Sequence, residues 1–212
     1  MEKPIYVLSG LGADERVFQK LHFGVPVTFV KWEVPEQAES IQAYAARIAA
    51  NIPVTRPILV GLSFGGVVAI EIAKHIPVEK LMLIASVKTR EELPFYYRLI
   101  GLLNLHRLVP ATLLKPSNRI TNWAFGAESI ADKKLLKQIL ADTSPQFLKW
   151  AINQLLHWKN HIVPPNVLHI HGTSDRILPI ASVDCDFVIE GGGHLMTLTK
   201  PEALSELLRQ HL

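Results

Sequence analysis

The most constraining feature of the sequence is a serine framed by glycines where one pattern gives way to another. Positions 61–65 read Gly-Leu-Ser-Phe-Gly. The aliphatic run Pro57–Leu62 comes directly before the serine and predicts a buried strand, and the apolar residues that follow predict a helix. A strand that turns into a helix this abruptly forces the serine into a strained backbone conformation and leaves little room for nearby side chains. Gly61 and Gly65 meet that need, so the pattern predicts Ser63 on a tight turn at the positive end of a helix dipole.

Aliphatic runs of similar kind recur along the chain and alternate with helical patterns. The expected strands are Ile5–Leu8, Val27–Val30, Pro57–Leu62, Lys80–Ala85, Val167–Ile170 and Phe187–Ile189. The clearest helices outside the middle of the chain are a segment capped by Ser40 and running through Ile52, then Phe64–His75 and Pro201–Leu212. Near-continuous aliphatic strands separated by helices are typical of a parallel sheet buried on both faces. We therefore expect an α/β fold with a mostly parallel sheet and helices on both faces.

The stretch from about Val87 to Pro164 interrupts this alternation and has helical patterning throughout. One helix is expected over Ser129–Ala141 and another behind Ser144-Pro145, where proline follows a capping serine. The segment Leu99–Val109 is more apolar still and is also expected to be helical. These patterns predict a single domain over 1–212, with an all-helical insertion at about 87–164 between two strands.

Two further side chains complete a candidate catalytic triad with Ser63. A serine hydroxyl needs a base to become an effective nucleophile, and the base needs a group that orients it. His194 follows three glycines after the last predicted strand, and Asp175 follows the strand before it. Both therefore belong to loops at the carboxyl edge of the sheet, the same edge as Ser63, where open α/β sheets build their sites. We predict Ser63 as nucleophile, His194 as base and Asp175 as the orienting acid.

Other residues could take these roles. His171 borders a strand and is an alternative base, although it and His169 also fit structural histidines. Glu91 and Glu92 follow the strand that ends at Ala85 and are alternative acids. Asp184 and Asp186 precede the last strand, so they belong to the edge of the sheet opposite Ser63. The remaining histidines have the positions of ordinary surface or packing residues; they are His22, His75, His106, His157, His161 and His211.

A tetrahedral intermediate on Ser63 would need amide donors for its oxyanion. One candidate is the backbone N–H of Phe64, the residue after the serine. The other lies in the glycine-rich loop after the first strand, Ser9-Gly10-Leu11-Gly12, and is most simply the N–H of Leu11. Glycine on each side of Leu11 would let that backbone come close to a substrate.

These residues and their order resemble the α/β-hydrolase superfamily from end to end. The resemblance implies hydrolysis of an ester, thioester or amide through an acyl-enzyme, with no cofactor, and makes the 87–164 insertion the cap of the fold. Members usually begin with two more strands, so the sheet here is expected to have six. The oxyanion loop reads Ser9-Gly10 where His-Gly is common. A carboxylic ester or thioester hydrolase is the expected function, with an acyltransferase, a carbon–carbon-bond hydrolase or lyase, or a non-catalytic binding protein on the same fold as alternatives.

Composition excludes several other classes. Of 212 residues 49% are hydrophobic and 19% charged, the formal net charge is +3, and no Lys/Arg run of five occurs, so nucleic acid is not an expected partner. Cys185 is the single cysteine, so a disulfide framework and a paired-cysteine metal site are excluded and a cytoplasmic setting is expected. The sequence contains no motif typical of a metal site, so no metal is expected. No apolar run reaches a membrane-spanning length, although association with a membrane surface stays open. Nothing in the sequence indicates the oligomeric state.

The insertion has its own composition. It holds eight of the sixteen aromatic residues, and positions 88–160 carry 11 Lys/Arg against 5 Asp/Glu. One hypothesis is that these residues serve a small-molecule substrate with an apolar acyl chain and an anionic group, such as a medium-chain or anionic ester or thioester. The other is that the aromatics fill the insertion's own core and the basic residues form a solvated face. The aromatic candidates are Phe95, Tyr96, Tyr97, Trp123, Phe125, Phe147, Trp150 and Trp158.

Overall fold

The computed structural model describes residues 3–108 and 118–212 and contains one six-stranded sheet in those ranges. All strand pairs in it are parallel, in the order β2-β1-β3-β4-β5-β6. The expected α/β class and the number of strands are confirmed. The strands are β1 Ile5–Leu8, β2 Val27–Phe29, β3 Ile58–Leu62, β4 Lys80–Ile84, β5 Val167–Gly172 and β6 Phe187–Ile189.

Helices cover both faces of the sheet. They are α1 Ile41–Ala50, α2 Phe64–Ile72, α3 Phe95–Leu102, α4 Arg119–Phe125, α5 Ile130–Asp142, α6 Pro145–Leu156, α7 Met196–Thr199 and α8 Pro201–His211. Short 3-10 helices lie at Glu15–Phe18, Arg90–Glu92, Leu105–Leu108 and Ile180–Ser182. The serines expected to cap α1 and α6, Ser40 and Ser144, do so, because each side chain accepts a backbone N–H of the first helical turn. Ser129 caps α5 in the same way.

Alternation along the buried strands divides the core in two. Val60 and Met82 point into a cluster with α5, α7 and α8, whereas Leu59 and Leu81 point into a cluster with α1, α2 and α6. Successive side chains of a strand point to opposite faces, so a strand that is aliphatic at every position must be covered on both sides. This is the physical reason why the continuous aliphatic runs of the sequence indicated a parallel sheet.

The region between β4 and β5 contains helices and no strand in its described residues. The predicted helix Leu99–Val109 is wrong in its bounds: α3 begins earlier, at Phe95, and ends at Leu102. A 3-10 helix follows from Leu105, after Asn104 with a left-handed φ of 54°. Val109 and the rest of 109–117 lie outside the described residues, so the 87–164 division of the domain stays a prediction.

Candidate active site

Ser63 lies on a strained turn between β3 and α2. Its backbone has φ 53° and ψ −121°, which only a small fraction of non-glycine residues adopt, and its N–H donates to the carbonyl of Ile84 at 2.8 Å. The turn depends on close backbone approach, because a side chain at Gly65 would collide with the carbonyl oxygens of Leu8 and Ser9. The glycine-framed pattern in the sequence thus has a direct structural cause.

His194 and Asp175 form a continuous chain of contacts with this serine. The Nε2 of His194 is 2.8 Å from the Oγ of Ser63, and its Nδ1 is 2.8 Å from the Oδ2 of Asp175. A carboxylate can only accept hydrogen bonds, so the imidazole proton sits on Nδ1 and Nε2 accepts from the serine hydroxyl. Asp175 and His194 are each 4% exposed. The arrangement is that of a nucleophile, a base and an orienting carboxylate.

The surroundings of Asp175 keep it ionised although it is buried. Burial by itself raises the pKa of a carboxyl group, but the adjacent His194 and the N–H of Leu178 outweigh this effect, and the pKa of Asp175 falls below its usual range. Its Oδ1 accepts the backbone N–H groups of Ile177 and Leu178, both at 2.9 Å. The carboxylate therefore has one oxygen fixed by backbone donors and the other directed at the histidine.

The alternative base and the alternative acids have hydrogen-bond partners other than Ser63 and His194. His171 is fully buried, and its Nε2 donates to the carbonyl of Leu178 at 2.8 Å while lying 3.6 Å from the Oδ2 of Asp175. Burial lowers the pKa of His171, which favours the neutral ring. Glu91 contacts His161, and Glu92 accepts the backbone N–H of Lys88. In the described residues none of these three side chains contacts Ser63 or His194.

The loop after β1 packs directly against the serine. A Cβ built on Gly10 would be 3.4 Å from the Cβ of Ser63. The loop is closed by two hydrogen bonds at Ala13, whose N–H donates to Gly10 and whose carbonyl accepts the Ser9 hydroxyl. Within the described ranges the N–H groups of Leu11 and Phe64 take part in no backbone hydrogen bond. The N–H groups of Leu11 and Phe64 stay the predicted oxyanion donors.

An apolar cavity of about 530 Å³ opens onto Ser63 and His194. Its walls come from the loop after β1, from α3, α4 and α6, and from the 3-10 helix at Leu105–Leu108. Among the residues that the structure describes, no acidic or basic side chain other than histidine lines it. The lining residues are Gly10, Leu11, Ala13, Leu62, Ser63, Phe64, Tyr97, Ile100, Leu105, His106, Phe125, Ile152, Leu155, Leu156, Ile177, His194 and Leu195.

Some aromatic residues of the insertion line the cavity and others fill the core, whereas Phe95, Tyr96 and Trp123 are exposed. Tyr97 and Phe125 line the cavity, and the Phe125 ring centroid is 5.7 Å from that of His194. Phe147 and Trp158 are buried in the core, where the indole of Trp158 donates to the buried carboxylate of Glu71 at 2.7 Å. Sequence reasoning missed the aliphatic lining residues, because helical periodicity marks an inward face without telling a core from a cavity.

The described residues contain neither a metal-binding cluster nor a membrane-spanning helix. In residues 3–108 and 118–212 no three His, Cys, Asp or Glu side chains are grouped so that they could hold a metal ion. Nor does any helix in these ranges have the length and apolarity needed to cross a membrane.

Comparison with known proteins identifies the fold family. A family model described as the alpha/beta hydrolase family matches residues 8–207. The chain belongs to this family. As an alpha/beta hydrolase it has its predicted nucleophile, acid and base in the order expected of the fold. No curated protein matches the chain.

Solved structures similar to this alpha/beta hydrolase cover nearly its whole length. An esterase from Exiguobacterium antarcticum has a TM-score of 0.73 and 18% identity, covering 99% of this chain and 91% of the esterase. A bromoperoxidase from Bacillus anthracis has a TM-score of 0.68 and 17% identity, covering 100% and 92%. A meta-cleavage product hydrolase from Pseudomonas fluorescens has a TM-score of 0.68 and 18% identity, covering 99% and 90%. At such identities the likeness concerns the fold alone.

Proposed function

We propose that this alpha/beta hydrolase cleaves a carboxylic ester or thioester through an acyl-enzyme formed on Ser63. The observation that carries the proposal is the unbroken chain from the Ser63 hydroxyl through His194 to Asp175, with both contacts at 2.8 Å. This chain lies at the wall of an apolar cavity large enough for a substrate. A strained serine aligned on a buried histidine is costly to maintain and is typical of catalysis rather than of passive binding.

The geometry defines the role of each group. As the Oγ of Ser63 attacks the carbonyl carbon, the Nε2 of His194 takes the hydroxyl proton, and Asp175 stabilises the resulting imidazolium. The negative oxygen of the tetrahedral intermediate would accept the N–H groups of Leu11 and Phe64. His194 then returns the proton to the departing alcohol or thiol. In the second half, water gives a proton to His194 as its oxygen attacks the acyl carbon. The bond between that carbon and the Oγ of Ser63 then breaks, His194 returns the proton to Oγ, and the acid leaves.

The cavity favours an apolar acyl group over a small or highly polar one. Its lining from α3, α4 and α6 is almost entirely aliphatic and aromatic. Burial of each methylene is favourable by about 0.8 kcal/mol, so an alkyl chain would gain affinity along this wall. We infer that the helices between β4 and β5 act as the cap that forms this wall.

The first test is hydrolysis of p-nitrophenyl and thioester acyl substrates of increasing chain length. Ser63→Ala and His194→Ala are expected to lower kcat/KM by at least three orders of magnitude, because each removes a group that acts in the reacting unit. Ser182→Ala removes a serine from a distant 3-10 helix and serves as the matched control. Turnover that is unchanged in both site variants would overturn the proposal. Transfer to an added alcohol in preference to water would instead indicate an acyltransferase with the same catalytic residues.

A further inference from the structure

A second cavity, of about 430 Å³, adjoins the apolar one on the side of α6. It is lined by His106, Arg107, Lys149, Trp150, Ile152 and Asn153. His106 and Ile152 also line the apolar cavity, so the two spaces share part of a wall. The larger space is almost entirely apolar and touches Ser63, whereas the second one has a mixed lining that includes two cationic side chains.

The charges of the second cavity are uncompensated. In the described residues neither Arg107 nor Lys149 takes part in an ion pair. The sequence has no Asp or Glu between Glu92 and Glu128, and α6 has none along its whole length. Two exposed cations that form no ion pair in the described residues generate a positive local potential at this cavity.

The neutral groups of this cavity also favour an anion. The Nε2 of His106 donates to the Oδ1 of Asn153 at 2.9 Å, since an amide oxygen can only accept. The NH₂ of the Asn153 amide has no hydrogen-bond partner in the described ranges. The indole N–H of Trp150 is already used, because it donates to the carbonyl of Glu39 at 2.7 Å. The groups that can donate to a ligand are the Arg107 guanidinium, the Lys149 ammonium and the Asn153 NH₂. The buried Nδ1 of His106 has no partner in the described residues and can only accept in this tautomer.

We propose that this second cavity binds an anionic group, a carboxylate or a phosphate, at the end of a substrate chain that fills the apolar cavity. The inference rests on the proposed function, because it assigns a binding site to the far end of the substrate whose acyl group would be transferred to Ser63. At about 30 Å³ for each water-sized unit, the apolar cavity of about 530 Å³ has room for about 18 non-hydrogen atoms. A chain of medium length would thus separate the anionic group from the bond that is cleaved.

The test compares esters that differ only in their far end. The substrates are p-nitrophenyl octanoate, mono-p-nitrophenyl suberate, which ends in a carboxylate, and the matching ester that ends in a phosphate. The wild type is expected to prefer an anionic ester over octanoate in kcat/KM. The double variant Arg107→Gln/Lys149→Gln is expected to lower this preference about five- to tenfold, mainly through KM, because exposed ion pairs are individually weak. High salt should lower the preference in the wild type as well.

A matched control removes two charges elsewhere. Lys134→Gln/Lys137→Gln acts on the exposed side of α5 and is expected to leave the preference unchanged. A larger effect on the phosphate ester than on the suberate ester would identify phosphate as the preferred anion, and the reverse would identify carboxylate. An anion preference that is absent in the wild type, or equal in both double variants, would overturn the inference. If no ester is cleaved and Ser63 does not react with a fluorophosphonate, the proposed function itself fails.

Discussion

Replacing Asp175 by asparagine tests the triad through hydrogen-bond geometry rather than through loss of a reacting atom. In the structure Oδ1 accepts two backbone N–H groups, from Ile177 and Leu178. An asparagine at this position must keep its oxygen there, since its NH₂ cannot accept those bonds. The NH₂ would then face the Nδ1 of His194, which would have to become an acceptor. The imidazole proton would move to Nε2 and point at Ser63, so the histidine could no longer take the serine proton.

The expected loss follows from the population of the wrong tautomer. A carboxylate-to-amide change of this kind is known to cost about 10⁴-fold in a serine triad, which corresponds to about 5.4 kcal/mol of transition-state stabilisation. We expect a loss of about 10³- to 10⁴-fold in kcat/KM for a p-nitrophenyl ester, with an unchanged near-ultraviolet circular dichroism spectrum. Asp184→Asn is the control, because its side chain is 95% exposed. Activity of Asp175→Asn within tenfold of the wild type would refute the reasoning and direct attention to Glu91 and Glu92.

Two other predictions concern pH and chain length. Burial lowers the pKa of His169 from 6.5 to about 4, so the unfolded chain takes up a proton there before the folded one does. The free energy of unfolding should therefore fall as pH decreases from about 6.5 to 4, by up to about 3 kcal/mol, in urea titrations; an equal fall in His169→Gln would contradict this. Leu155→Trp should remove room for about two methylenes of the apolar cavity and lower kcat/KM for long acyl esters roughly 15-fold, while acetate esters stay within twofold. Chain-length profiles that coincide with the wild type would show that this wall does not hold the acyl group.

Much of the fold could be predicted because its signals are local. The aliphatic runs place all six strands within a few residues, and the capping serines Ser40 and Ser144 place the starts of α1 and α6. The boundaries and elements that were predicted wrongly or missed are those that depend on tertiary contacts. β5 continues through Gly172 because it pairs with β6, although the apolar run ends at Ile170. α4 was not predicted, because its apolar pattern is short. Its clearest signals are the capping residues: Asn118 before the helix, and Gly126 with a left-handed φ after it.

The candidate site also has a part that the sequence predicts and a part that depends on tertiary packing. Ser63, Asp175 and His194 could be chosen because parallel strands bring their carboxyl ends to one edge, a consequence of topology that one sequence suffices to predict. The pairing of His106 with Asn153 could not be foreseen, because it depends on how α6 packs against the segment after α3. Glu71 illustrates the same limit: it is the one charged residue of α2 and is fully buried, held by Trp158 from the insertion.

The most direct test of the central claim is intact-mass analysis after treatment with a fluorophosphonate. Such a probe reacts with a serine that is activated by a base, so it reports on Ser63 without knowledge of the natural substrate. We predict a single covalent adduct on the wild type and none on Ser63→Ala, with Ser182→Ala labelled like the wild type. A folded wild type that stays unlabelled, or an adduct that persists in Ser63→Ala, would contradict the assignment of Ser63 as an activated nucleophile.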